Sequence, residues 1–140
     1  YLGSQDTHGS YPEFYAYKNA SIAIGRASMR LDGWFSFDAP SNDEATLLTT
    51  PVRTPDGAPS NVFVNALSSV RGYLRCEVLD AKTLLPLSGL SFNESVPLMG
   101  NYVRRRLSWT SGASLPAGVT VRLRFAVFAG KLFTFEISGV

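Results

Sequence analysis

Residues 119–128 have the sequence VTVRLRFAVF, in which apolar side chains alternate with other side chains at a period of two. Such alternation is typical of a β-strand that buries one face. The stretch KLFTFEI follows after Ala129-Gly130, a pair of small residues that is typical of a tight turn. We therefore predict two strands joined by a hairpin at Ala129-Gly130. The side chains expected to face the core are Val119, Val121, Leu123, Phe125, Val127, Phe133, Phe135 and Ile137.

The same alternation occurs elsewhere in the chain, whereas no long stretch shows a helical period. In WFSFDA it predicts that Phe35 and Phe37 face the core and that Trp34 points away from it. In GYLRCEVL, which begins at Gly72, it places Cys76 on the inward face, where we expect a buried, reduced thiol. Weaker strands are expected to begin at Ile22, Ala45, Asn61 and Tyr102.

Turn sequences separate these segments, and glycine or proline occurs in each of them. They are Asp32-Gly33, Pro55-Asp56-Gly57, Ser88-Gly89, Gly100-Asn101 and Ser111-Gly112. Eight or so short strands at this spacing predict an all-β fold, an antiparallel two-sheet β-sandwich of jelly-roll-like form. We assign residues 22–140 to this domain and interpret residues 1–21 as an N-terminal arm or the remnant of a preceding domain.

The composition fits one globular domain and excludes several classes of protein. Of the 140 residues, 45% are hydrophobic and 17% are charged, which suits a packed core rather than a disordered chain. Cys76 is the single cysteine and His8 the single histidine, so a disulfide framework and a cysteine-rich zinc site are both excluded within this chain. No apolar run approaches the ~20 residues of a membrane-spanning helix.

Charge is distributed unevenly along the chain. Residues 1–70 carry four basic and seven acidic side chains, whereas residues 71–140 carry nine basic and four acidic ones. This asymmetry is compatible with an anionic partner, or with arginines that pair with glutamates on the solvent face of a sheet. The alternation places five such side chains on the outer face, namely Arg75, Glu77, Arg122, Arg124 and Glu136.

The chain offers little for catalysis, and we expect a domain that is not an enzyme and that holds no cofactor. A GxSxG motif is absent, and His8 has no marked partner beyond Asp6. A calcium site formed by Asp38, Asp43 and Glu44 is an alternative to simple loop solvation, which we favour. Nucleic-acid binding is not expected, because the basic and aromatic side chains at Tyr102, Arg104, Arg106, Arg122 and Arg124 form no known motif.

An exposed aromatic ring is what a sugar-binding surface needs for stacking on a pyranose. Trp34 is the first candidate, because it lies opposite in parity to its phenylalanine neighbours, and Tyr73 and Tyr102 follow by the same argument. Trp109 shares parity with Leu107 and is expected in the core. The alternative role for Trp34 is packing against a neighbouring domain or against the N-terminal arm.

Two sequons for N-glycosylation occur, at Asn19 and Asn93. They are compatible with a secreted or extracellular protein, as is the low number of lysines.

Five segments together resemble a known family of domains. They are IAIGRASMRLDGWFSFDA, LLTTPV, NVFVNALSSVRGYLRCEVLDAKTLLPLSGLS, SVPLMGNYVRRRLSWTSGASL and VTVRLRFAVFAGKLFTFEI, and they lie between residues 22 and 137. In this order they resemble the C-terminal β-sandwich of glycosidase-like proteins, where it follows a five-bladed propeller of the β-fructosidase or arabinanase type. The shared positions are core and turn residues, and none of them is a fixed sugar contact. The chain departs from the family pattern in three places, namely Asn65-Ala66-Leu67, which lacks an acid after the asparagine, the turn Asp80-Ala81-Lys82-Thr83, and the more basic Arg104-Arg105-Arg106.

In such proteins the propeller carries the catalytic acids, so the resemblance implies an accessory module without catalytic activity. We therefore expect an extracellular β-sandwich that accompanies a glycoside hydrolase-like protein and binds carbohydrate. The alternative is a structural or adhesion domain that makes protein–protein contacts. The expected partners are a glycan or a propeller-type glycosidase domain.

Overall fold

The computed structural model describes residues 2–5 and 22–139, and every regular element in these residues is a β-strand. The seven strands are β1 (Leu2–Gln5), β2 (Ile22–Gly25), β3 (Phe37–Leu48), β4 (Val52–Arg53), β5 (Ser60–Asp80), β6 (Asn101–Arg106) and β7 (Thr120–Gly139). The predicted all-β fold is thereby confirmed. No helix long and apolar enough to cross a membrane is found among the described residues.

The strands form two antiparallel sheets of different size. Strands β1 and β2 pair with each other, with Leu2 opposite Gly25. The other five form one sheet in the order β3-β7-β5-β6, with β4 also paired to β7. The long central pair, β5 and β7, is in register from Ser60 opposite Gly139 to Asp80 opposite Val121.

The predicted hairpin at Ala129-Gly130 is wrong, because β7 continues through these residues. Strand β5 likewise joins two segments that the alternation predicts as separate strands, so the sheet has a few long strands where many short ones are expected. Both long strands change register together, between Ser68 and Tyr73 on β5. Ala129 has a positive φ of 46° at this point, so the turn-like sequence produces a bend within a strand.

The bend brings side chains from the two halves of β7 into contact. The rings of Phe125 and Phe135 have centroids 5.4 Å apart, although ten residues of straight strand would separate them by about 33 Å. The backbones also crowd at the bend, since a Cβ on Gly72 would lie 2.4 Å from the carbonyl oxygen of Ala129. The sheet therefore folds around its own core.

The core is formed by the inner faces of both halves of β5 and β7, as the alternation predicts for most positions. Cys76 is fully buried, and burial raises the pKa of its thiol well above the usual value. The expected core position of Trp109 is also confirmed, and its indole N–H donates to the Cys76 carbonyl oxygen at 3.0 Å. The buried apolar residues on these two strands are Val62, Val64, Ala66, Leu74, Cys76, Val78, Leu79, Val121, Leu123, Phe125, Ala126, Val127 and Leu132.

Two phenylalanines depart from the expected inward orientation. Phe35 is exposed, because it precedes β3 and has no strand partner that would orient it. Phe133 falls at a register shift opposite Asn65 and Ala66, where Leu132 takes the buried position. The ring of Phe133 instead lies 4.8 Å from the guanidinium of Arg30.

The prediction that five charged side chains share a solvent face is wrong for Glu77. Its carboxylate is buried, with 4% of the side chain exposed. It is covered by the turn that contains Phe92, whose backbone N–H donates to it at 3.4 Å, and it pairs with Arg124. Arg75, Arg122 and Arg124 are partly exposed and Glu136 is exposed, so the outer face is expected correctly for these four.

Candidate contact surfaces

The connection between β2 and β3 carries the most exposed aromatic side chains among the described residues. In residues 29–35, here called the 29–35 loop, Trp34 is 77% exposed and Phe35 is 86% exposed. Met29 and Leu31 are also exposed, which places four large apolar side chains in solvent within seven residues. The exposure expected of Trp34 is confirmed. Clustered exposed apolar side chains of this kind mark contact sites more often than isolated ones do.

Arg30 fastens this loop to the large sheet. Its guanidinium donates to the side-chain oxygens of Asn65 and Asn101, the second at 2.5 Å, and to the backbone carbonyl oxygens of Ala66 and Tyr102. The side-chain amide of buried Asn65 donates in turn to the carbonyl oxygen of Leu31 at 2.8 Å. The loop is therefore held in one position before any partner arrives, which lowers the entropic cost of binding.

An apolar groove of about 350 Å³ lies beside Phe35. We call it the Phe groove, because four phenylalanines contribute to its wall. Among the described residues that line it, the hydroxyl-bearing side chains are Ser36 and Thr134. The full lining is Phe35, Ser36, Phe37, Leu47, Leu132, Phe133, Thr134 and Phe135. The surface next to Trp34 is thus rich in aromatic area and poor in hydrogen-bonding groups.

Tyr73, the second sugar-binding candidate, is engaged within the protein. Its hydroxyl donates to the Glu44 carboxylate at 2.7 Å, and Arg75 donates to the same oxygen at 3.0 Å. The ring stacks on Phe128 with a centroid separation of 5.5 Å. The hydrogen bond raises the pKa of Tyr73 and lowers the pKa of Glu44. Because its hydroxyl is hydrogen-bonded to Glu44 and its ring is stacked on Phe128, Tyr73 is less available to stack on a sugar than parity indicates.

Tyr102, the third candidate, lines a cleft of about 300 Å³ between β6 and residues 96–99. We call this the Tyr102 cleft. The guanidinium of Arg105 lies 5.3 Å from the centre of the tyrosine ring, and Arg106 lines the same cleft. A hydrogen bond of 2.9 Å from the Val96 N–H to the Ser108 carbonyl oxygen joins the start of residues 96–99 to the chain just after β6.

The three aromatic candidates do not form one platform. No stacking between any two of the rings of Trp34, Tyr73 and Tyr102 is found in the described part of the chain. Arg30 links the 29–35 loop to the backbone of Tyr102, whereas Tyr73 belongs to the group around Glu44. Arg30 itself is not predicted by the sequence, because a single arginine before a turn gives no local indication of the four groups it will contact.

Two of the three acidic side chains considered for calcium, Asp38 and Glu44, are engaged with separate partners. Asp38 pairs with Lys131 at 2.5 Å, and this hydrogen bond lowers the pKa of the carboxyl. Glu44 faces Tyr73 and Arg75. Among residues 2–5 and 22–139 no three side chains of the metal-binding types converge.

Of the two sequons, the one at Asn93 lies among the residues that the structure describes. Asn93 is exposed in the turn that covers Glu77, and its sequon partner Ser95 is buried, accepting a hydrogen bond from the Cys76 N–H at 3.0 Å. Asn19 and His8 lie outside the described residues. Modification of Asn19 and Asn93 remains a prediction.

Comparison of the chain with protein-family models, with curated proteins and with solved structures finds no match in any of the three. The resemblance to the sandwich of propeller-type glycosidases therefore remains a prediction from the five sequence segments.

Proposed function

We propose that this domain is a non-catalytic interaction module that docks on a protein partner through the 29–35 loop. One observation carries the proposal, namely that Trp34 and Phe35 stand exposed on a loop that Arg30 fixes to the sheet. An exposed and preorganised aromatic pair is what a docking surface needs, because its apolar area is buried on binding without a large cost of ordering.

We also propose that the folded sheet is a two-layer β-sandwich of the kind found after glycosidase propellers. The contact between Phe125 and Phe135 supports two facing layers, since these rings come from opposite halves of one bent strand. Strands that pass from one layer to the other through a bend are known in packed sheets. On this basis the partner is a propeller-type glycosidase domain, and the parent protein is secreted.

The character of the Phe groove favours protein over sugar at this loop. A pyranose carries hydroxyl groups around its rim and needs several hydrogen-bonding side chains beside the stacking ring. The groove next to Phe35 offers the hydroxyls of Ser36 and Thr134 among phenylalanine rings. A protein partner can cover such a surface with apolar side chains of its own.

Carbohydrate binding at Trp34 is the second candidate function. The observation in its favour is the exposure of the indole, which leaves most of the ring free to stack on a sugar. The chain offers a clean probe, because Trp109 is buried and a change in tryptophan fluorescence on binding would come chiefly from Trp34.

The test measures binding of the purified domain to a β-fructosidase-type propeller domain supplied in solution. We expect the double variant Trp34→Ser with Phe35→Ser to bind at least about tenfold more weakly, because two central aromatic contacts are lost. The control is Val70→Ser, since Val70 is 98% exposed and lies outside the loop. Equal binding by the two variants and the native domain would contradict docking through the loop. If a neutral glycan binds the native domain and binds the Trp34→Ala variant more weakly, carbohydrate binding at Trp34 is established instead.

A further inference from the structure

We propose that the Tyr102 cleft is a second binding site, and that it takes a saccharide bearing a carboxylate or sulfate group. The inference is independent of the 29–35 loop, because it rests on a different surface. It also gives a specific role to the positive charge of residues 71–140, which carry nine basic and four acidic side chains.

The arginines of the Tyr102 cleft differ from several others in their ion pairing. Four arginines on the described surface have carboxylate partners: Arg53, Arg75, Arg104 and Arg124. Arg105 and Arg106 line the cleft, and within the described residues neither has a carboxylate within salt-bridge distance. None of the described residues that line the cleft is acidic. Two arginines that line one cleft without a counter-charge favour an anionic ligand, and guanidinium binds carboxylate and sulfate-like groups in a bidentate manner.

Arg105 is held by an aromatic ring of the same cleft. Its guanidinium rests on the Tyr102 ring at 5.3 Å from the centroid, a cation–π contact that limits its freedom. Charged side chains on an edge strand such as β6 also discourage pairing with another sheet. That role needs only charge in solvent, whereas a guanidinium held on a ring inside a cleft is already positioned to receive a ligand.

The rest of the cleft wall combines apolar and hydroxyl groups. Pro97 and Met99 supply apolar area, while Tyr102 and Ser108 supply hydroxyl groups. An acidic sugar presents the matching groups, namely an apolar ring face, hydroxyls and an anion. The volume of about 300 Å³ lies at the lower end of the range for small-ligand sites.

The experiment is a calorimetric titration of the domain with two anionic oligosaccharides, a heparin fragment and an oligogalacturonate, and with a neutral cello-oligosaccharide. We expect binding of at least one anionic sugar and a loss of tenfold or more in Arg105→Gln with Arg106→Gln. The matched control is Arg26→Gln with Arg71→Gln, which removes the same charge from two exposed arginines outside the cleft and is expected to cost less than about threefold. Tyr102→Phe keeps the ring and removes only the hydroxyl, so it tests the site without disturbing the strand.

Several outcomes would overturn the proposal. Equal losses in the two double variants would show diffuse attraction by net charge rather than a site. Binding of single-stranded nucleic acid or polyphosphate as tight as that of the sugars would show an unselective anion surface. Absence of any anionic sugar binding at millimolar concentration would refute the site outright, and it would leave docking through the 29–35 loop untouched.

Discussion

Two arginine–glutamate pairs on the same large sheet have the same chemistry and opposite surroundings. Arg124 and Glu77 face each other across β7 and β5, and the carboxylate is 4% exposed. Arg104 on β6 reaches Glu136 on β7 over the ring of Phe63, and that carboxylate is 52% exposed. Alternation along a strand places both glutamates on the outer face. The difference arises because a second segment covers one of them.

The covering segment is the turn around Phe92. Its backbone N–H reaches Glu77, and the Phe92 ring lies 5.4 Å from the guanidinium of Arg124. A buried charge needs its partner far more than a hydrated charge does, because the cost of desolvation is recovered only within the pair. The two pairs should therefore respond very differently to the same substitution.

The largest effect is expected for Arg124→Met, which leaves the Glu77 carboxylate buried without its cation. We expect a loss of about 2–3 kcal/mol in the free energy of unfolding, measured by urea denaturation at neutral pH. A loss below about 0.5 kcal/mol would mean that water reaches Glu77 and that the turn around Phe92 does not seal it.

A smaller loss is expected for Glu77→Gln. The guanidinium left behind is 43% exposed and can be hydrated, while the amide oxygen can still accept the Phe92 hydrogen bond. We expect a loss of about 1 kcal/mol in the same urea experiment. The more decisive result is which variant loses more free energy of unfolding. A larger loss in Glu77→Gln than in Arg124→Met would contradict the difference in burial between the two side chains.

No measurable change in unfolding free energy is expected for Arg104→Met. Both partners of this pair are about half exposed, so water replaces the missing contact. The methionine can still pack on Phe63, which Arg104 covers at 3.8 Å from the ring centroid. This variant is the matched control for Arg124→Met, and a comparable destabilisation would remove the distinction between the two pairs.

The smallest effect is electrostatic and is expected at Glu136. Hydrogen bonds from Arg104 lower the pKa of this carboxyl, so Arg104→Met should return its pKa toward the usual value for glutamate. The sign follows from linkage, because a carboxyl with a lowered folded-state pKa stabilises the fold above its unfolded-state pKa and loses that contribution as the pH falls. Titration of the side-chain carboxyl by NMR in both proteins measures the shift. An unchanged titration would show that the ion pair does not persist in solution.

The sequence predicts well what depends on one strand at a time. The inward positions Leu123, Phe125 and Val127 and the buried Cys76 follow from alternation and are found in the core. Alternation assigns a side chain to a face, and it cannot tell what another segment will place over that face. Glu77 shows this limit, because the turn that buries it lies at residues 91–94.

The bend in the long strands is not predicted from the sequence, because it too depends on a second segment. Ala129-Gly130 has the local chemistry of a turn, and only the matching bend of β5 near Gly72 shows that the chain continues as a strand. At the candidate contact surfaces, the exposure of Trp34 is predicted, whereas that of Phe35 is not, since pairing begins only at Phe37. The hydrogen bond from Tyr73 to Glu44 joins residues of different strands and has no local signature.

The pairing of β5 with β7 also has a consequence for the order in which the chain folds. Asp80 and Val121 are about half as distant in sequence as Ser60 and Gly139, which pair at the other end of the same two strands. Closing the shorter loop costs roughly 0.6 kcal/mol less in chain entropy, and pairing can then advance one residue at a time. We infer that pairing of the two strands begins at the Asp80–Val121 end and extends through the bend at Gly72 toward Ser60 and Gly139. Because every rung joins distant residues, refolding should be slow for a chain of this size, on the order of milliseconds to seconds.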